Sequence, residues 1–162
     1  MVKQRNMTSI FLCDKDKILL LNRQGGSVVN NVWIGSAGGH FEEFELNDAR
    51  ACVLRELNEE LSLTEDMLSD LKLRYITMRH TKGEIRINYF FFANLENGLE
   101  MDLKSNEGVL KWFHYDEIKE LGMSFSGQNV MKHYMEIGRF NETIYGGIAD
   151  GKKVVFTEMP EF

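Results

Sequence analysis

The chain has one proline, Pro160, near its C-terminal end. It has two cysteines, Cys13 and Cys52, far apart and in neither a CxxC nor a Cys/His metal spacing. That rules out a disulfide framework and a zinc finger, and both thiols read as reduced, as in a cytosolic protein. No apolar run approaches the roughly 18 residues that a membrane span needs, so no membrane partner is expected. The opening stretch MVKQRNMTSIFLCDKDK has too short an apolar core for a signal peptide and no small-residue cleavage site. Internal repeats, low-complexity tracts and an obvious linker are missing. So are HExxH and GxSxG patterns, and GSAGGH lacks the Lys-Ser/Thr ending of a P-loop. The net charge of -6 argues against a nucleic-acid polymer as partner. A small phosphorylated ligand stays open, because a metal ion can reverse the local field.

What is present suits one domain spanning residues 1–162, long enough to bury a proper core. MTSIFLCD and KILLLNR flank KDK and read as a hairpin or two neighbouring strands. GGSVVNNVWIGSAGGHFE is glycine-rich, with a short strand around Val32 to Ile34. A helix follows, capped by Asn47 or Asp48, with Leu54, Leu57 and Leu61 as its core-facing stripe. LKLRYITMRH and EIRINYFFFANL read as strands joined through the turn-rich RHTKGE. The second is expected to be central, because Phe90, Phe91 and Phe92 are costly to expose on either face. VLKWFHY reads as a strand, YDEIKELGM and GQNVMKHYMEIGRF as helices, and the tail as a hairpin turning at Asp150-Gly151. Strands on both sides of the first helix favour an α/β or α+β sheet covered by helices.

The stretch RELNEEL places Glu56, Glu59 and Glu60 close together on one helix face, where like charges repel. A solvated face is the ordinary reading of such a cluster. Here no lysine follows at i+4 to balance it, Arg55 can hold Glu59, and a glycine-rich turn precedes the helix. Clustered carboxylates are what hard divalent cations require. Both readings stand on the residues alone.

GGHFEEFELNDARACVLRELNEELSL resembles the Nudix box, G-x5-E-x7-R-E-U-x-E-E-x-G-U, where U is bulky and aliphatic. Gly39 and Glu45 match its opening, and Arg55, Glu56, Leu57, Glu59, Glu60 and Leu63 match its second half in register. The chain departs from the pattern in three places. Nine residues, not seven, separate Glu45 from Arg55, which leaves the roles of Glu42, Glu43 and Glu45 open. Ser62 replaces the last glycine, and Ala37 replaces the proline often found before the Gly-Gly pair. A serine at position 62 fits if that residue avoids the left-handed conformation or the helix ends differently.

The resemblance implies an α/β/α sandwich with a mixed β-sheet. It implies a hydrolase that uses Mg²⁺ or Mn²⁺ and water to cleave a phosphoanhydride bond in a nucleoside di- or triphosphate or a related diphosphate. Oxidised purine nucleotides such as 8-oxo-dGTP, cleaved to a monophosphate and pyrophosphate, fall within that range. Glu56, Glu59 and Glu60 match the family's metal and base positions, with Glu56 expected as the base. The carbonyl of Gly38 matches a backbone metal ligand, and Arg55 the arginine that orients the glutamates. Glu107, in SNEGVLKWF, reads equally as a further metal ligand or as a turn residue. Substrate contacts are open among Arg5, Asn6, the RHTKGE segment, Asn88 and Tyr89. Trp112, His114 and His133 read as structural, His40 as a surface or supporting residue, and His80 as bordering the substrate. Homodimers are common in the family, but the sequence shows no interface. Two alternatives keep the fold: a non-catalytic ligand-sensing Nudix domain, and an enzyme like isopentenyl diphosphate isomerase. The first often loses a box glutamate; the second needs a catalytic cysteine between Cys13 and Cys52, where there is none.

Overall fold

The structure, a computed structural model, describes residues 1–23 and 32–162. The glycines at the start of GGSVVNNVW lie outside the described residues. β1 (Lys3–Asp14) and β2 (Lys17–Arg23) form the expected hairpin. β3 (Trp33–Ile34) and β4 (Ala37–His40) carry the end of the glycine-rich stretch. After α1 (Ala49–Leu61) come β5 (Leu68–Thr81) and β6 (Glu84–Leu95). β7 (Gly108–His114), α2 (Phe125–Glu136), β8 (Tyr145–Ala149) and β9 (Val154–Glu158) complete the chain.

The strands make one sheet in the order β3-β2-β1-β6-β5-β8-β9, with β4 added to β1 and β7 to β2. The pairs β1/β6 and β5/β8 are parallel and the others antiparallel, so the sheet is mixed. Alternation along the central strands supplies both faces. Ile10, Leu12, Phe91 and Ala93 pack with Val53, Leu57 and Leu61 of α1. Phe11, Phe90 and Phe92 pack with Val130 and Met131 of α2. The result is an α/β/α sandwich, with all three central phenylalanines buried as expected.

β1 changes partner halfway along one edge. Leu12–Asp14 pair with β2, whereas Met7–Ile10 pair with β4. Ser36, fully buried, bridges the break: its hydroxyl donates to the Leu19 carbonyl at 2.6 Å and accepts from the Leu12 N–H at 2.9 Å. This divergence opens the sheet beside β4 and creates room for a ligand.

Two elements differ from expectation. RHTKGE is not a loop: the strands continue to Thr81 and from Glu84, leaving only Lys82 and Gly83, both at positive φ, as a tight hairpin turn. His80 thus lies in β5, exposed. YDEIKELGM forms a 3₁₀ helix, Tyr115–Glu120, rather than an α-helix.

Asp48, one of the two expected caps, starts α1; its carboxylate accepts from the Ala51 N–H at 3.0 Å. At the other end Ser62 sits at φ 56°, ψ 30°. That is the left-handed conformation the family's glycine serves, so the serine is strained there rather than relieved by a different helix ending.

Candidate active site

The opening beside β4 is a cleft of about 540 Å³. Gly38, Gly39 and His40 of β4, Glu56 and Glu60 of α1, and Glu107 before β7 line it. Arg79 of β5 and Arg86, Asn88 and Phe90 of β6 form its sheet floor, and Ser124–Gly127 at the start of α2 close one end. A smaller cavity of about 310 Å³, lined by Cys13, Arg74 and Tyr134 among others, contains none of these glutamates.

Arg55 organises the acidic helix. Its guanidinium donates to Glu45 at 2.5 and 3.0 Å, to Glu56 at 2.9 Å, to Glu59 at 3.2 Å and to the His40 carbonyl at 3.0 Å. Glu56 is mostly buried and leans on Gly39, where a Cβ would sit 2.4 Å from its carboxyl group. Gly38 is equally confined, since a Cβ there would lie 2.2 Å from the Thr8 carbonyl. Glu60 accepts a long hydrogen bond from the Gly38 N–H at 3.4 Å. Glu107 faces the same space and pairs with Arg23 at 3.6 Å. Glu59 stands apart: it does not line the cleft, and its side chain is 57% exposed.

The charges respond to this placement. Burial, then the nearby Glu56 and Glu107 carboxylates, push Glu60 up to about 7. Hydrogen bonds from Arg55 hold Glu45 down at about 2. Burial, followed by the positive charges of Arg5, Arg23 and Arg86, lowers His40 below the ordinary imidazole value. Excess negative charge at Glu56, Glu60 and Glu107 is what a bound cation would neutralise. The donor set, three carboxylates and the nearby Gly38 carbonyl, suits a hard divalent ion. Among the described residues no three acidic, histidine or cysteine side chains are already gathered closely enough to hold a metal. Arg55 holds Glu56 and Glu59 to itself, so side-chain rotation would be needed to complete a shell.

The described residues contain no helix long and apolar enough to cross a membrane.

A sheet split around a carboxylate-lined cleft, with an arginine-ordered acidic helix beside a glycine pair in β4, is an arrangement suited to cleaving a phosphoanhydride bond. The NUDIX domain family model matches residues 3–134, and the chain belongs to that family as a pyrophosphohydrolase. Proteins of this family generally use a divalent metal and act on small nucleotide substrates. Similar solved structures include the MutT protein from Bacillus halodurans, at TM-score 0.67 and 22% identity, covering 98% of this chain and 99% of that one. The E. coli ORF135 protein has TM-score 0.66 and 19% identity, covering 86% and 94%. A C. elegans Ap4A hydrolase has TM-score 0.64 and 19% identity, covering 86% and 100%. Among curated proteins no significant sequence match is found.

Of the suggested substrate contacts, Arg79 of RHTKGE and Asn88 reach the cleft. Tyr89 packs on the opposite face, 5.3 Å from Phe41, and Arg5 pairs with Glu84. Arg23, Arg86, Phe90 and the start of α2 carried no motif in the sequence. Alternation along EIRINYF could have grouped Arg86, Asn88 and Phe90 on one face, once Phe90 was known to face inward.

Proposed function

We propose that residues 1–162 form a single catalytic domain that hydrolyses a nucleoside di- or triphosphate, or a related diphosphate, with Mg²⁺ as the preferred cofactor and Mn²⁺ as a substitute. The observation that carries this reading is the shared cleft of Glu56, Glu60, Glu107 and the Gly38–Gly39 pair of β4. Gly38, through its carbonyl, and Glu56, Glu60 and Glu107 would hold the metal, with Glu59 at the outer edge. A bound divalent cation supplies charge neutralisation on phosphoryl oxygens and a site for the attacking water. Glu56 accepts the water's proton, its carboxylate held in the cleft by the 2.9 Å contact from Arg55. Arg55 is thus a positioning residue. For a triphosphate the products are a monophosphate and pyrophosphate. Oxidised purine nucleotides such as 8-oxo-dGTP and dinucleoside polyphosphates are the first substrates to try, by analogy with structural neighbours named MutT and Ap4A hydrolase. Cytoplasmic action accords with the two free thiols.

A ligand-sensing domain is the weaker reading, because Glu56, Glu59 and Glu60 are all retained. An isomerase is weaker still: Cys13 and Cys52 are buried, and neither lines the cleft. The test is hydrolysis of a nucleotide panel with and without Mg²⁺, comparing the wild type with Glu56→Gln. Metal-dependent product release that falls by about 10²–10⁴ in the variant is expected. Full activity in Glu56→Gln removes Glu56 as the base, and no turnover of any substrate removes the hydrolase reading.

A further inference from the structure

The floor of the cleft holds a charge arrangement that the glutamate chemistry does not use. Arg79 on β5 and Arg86 on β6 are direct cross-strand partners. Arg86 is in turn paired in register with Arg5 of β1. Three arginines therefore follow one another across adjacent strands on one face, an arrangement that repels and destabilises a sheet. Glu84 relieves two of them, lying 3.2 Å from Arg86 and 3.8 Å from Arg5. Among the described residues Arg79 has no carboxylate within 4.0 Å, and residues 24–31, QGGSVVNN, contain no acidic side chain that could supply one.

Among the described residues Arg79 makes no hydrogen bond to a neutral group either. Its Nε is buried with no hydrogen-bond acceptor, alone in this respect among the described buried side-chain nitrogens and oxygens. A buried arginine with a purely structural role behaves differently in the same molecule. Arg74 donates to the carbonyls of Thr143 and Gly138 and to Asn141 Oδ1. The Arg79 guanidinium instead lies 5.9 Å from the Phe125 ring centroid, held over the end of the cleft. Burial, with a smaller contribution from Arg86, makes its cation costlier than usual in the free protein. Such a group is poised for an anion that arrives from outside.

We infer that Arg79, with Arg86, forms an anion subsite on the floor of the cleft, which takes a substrate phosphoryl group other than those held at the glutamates. The substrate then carries an oxyanion beyond its scissile diphosphate: a third phosphoryl group in the chain, or a phosphate monoester elsewhere on the nucleotide. Identifying the anion as part of a substrate rests on the hydrolase reading; the anion site itself does not.

The test separates the two. Inorganic pyrophosphate is titrated by calorimetry into metal-free protein in the presence of a chelator, for wild type, Arg79→Met, Arg86→Met and Glu60→Gln. Binding to the wild type is expected, at least about tenfold weaker in Arg79→Met and undiminished in Glu60→Gln. Thermal unfolding of Arg79→Met is expected at or above the wild-type temperature, because beyond the 5.9 Å approach to Phe125 no ion pair or hydrogen bond among the described residues is lost and repulsion is relieved; Arg86→Met repeats the binding test if Arg79→Met does not fold. No binding to the wild type, or binding as tight as wild type in both arginine variants, overturns the subsite. With Mg²⁺, kcat/KM is then compared for a nucleoside triphosphate, a nucleoside 3′-phosphate 5′-diphosphate and a nucleotide sugar. An advantage for either of the first two that shrinks in Arg79→Lys identifies which phosphate is read. No advantage for either overturns the substrate class. Pyrophosphate binding without hydrolysis of any substrate keeps the subsite and overturns the hydrolase reading.

Discussion

Glu45 and Arg55 form a two-point ion pair inside the protein. The fully buried Glu45 carboxylate receives Arg55 Nε at 2.5 Å and Nη2 at 3.0 Å. Two additional residues separate these partners relative to the family pattern. A 3₁₀ turn at Glu43–Glu45 ends at this carboxylate, and a second turn, closed by the Asp48 N–H on the Glu45 carbonyl at 2.7 Å, leads into the Asp48 cap, so the pair still closes. Glu45 also accepts from the Glu42 N–H at 2.9 Å, which ties the turn to the helix. Glu45→Gln removes the charge that Arg55 was buried against, with an expected loss of about 3 kcal/mol in urea unfolding. Glu43→Gln, at an exposed neighbour, is expected to stay within about 0.5 kcal/mol. Equal stabilities for the two variants would show that the pair does not anchor α1.

The metal-free protein is expected to lose stability as pH rises from about 4.5 to about 7. Glu60 is held up to about 7 in the folded state, above the ordinary 4.5, so the folded chain binds this proton more tightly than the unfolded one. Its stabilising contribution is complete below the lower value and gone above the upper. Glu45 acts in the opposite direction: held at about 2, its contribution is present above 4.5 and is lost as pH falls toward 2. Urea midpoints at about pH 5 and pH 8 in chelator, for wild type and Glu60→Gln, test the first limb. An unchanged pH slope in the variant would remove Glu60 as its source.

Gly39→Ala is expected to impair catalysis more than folding. The new Cβ would fall 2.4 Å from the Glu56 carboxyl, which is the far end of a movable side chain. The fold can adapt, at a cost of about 1–3 kcal/mol, but the base is displaced. A drop in kcat of about 10² with a cooperative unfolding transition is expected. Wild-type kcat would show that the Glu56 position seen against Gly39 is not the reactive one.

Ser62→Gly is expected to stabilise the protein by about 1 kcal/mol. Ser62 occupies the left-handed region at φ 56°, where a side chain crowds the backbone. Glycine removes that strain, and part of the gain is returned through its freer unfolded chain. Thermal unfolding in paired scans measures the difference, and a lower midpoint for the variant would contradict it.

Much of the acidic helix was legible in the sequence because its geometry is local. Residues three and four apart on one helix must be neighbours, so Arg55, Glu56, Glu59 and Glu60 could be grouped from spacing alone. The core alternation of IFLCD and NYFFFANL, and the central place of β6, followed from apolar pattern in the same way. The roles of Glu45 and Arg79 did not. Glu45 reaches Arg55 across a nine-residue connection that turns between Glu45 and Asp48, and spacing alone could not show that turn. Arg79 meets Arg86 only through the β5/β6 register, where sliding by one residue would turn its side chain to the other face. Sequence determined which charges the protein carries and which of them share a helix turn; strand pairing decided which face one cleft, because register is set by contacts between segments distant along the chain.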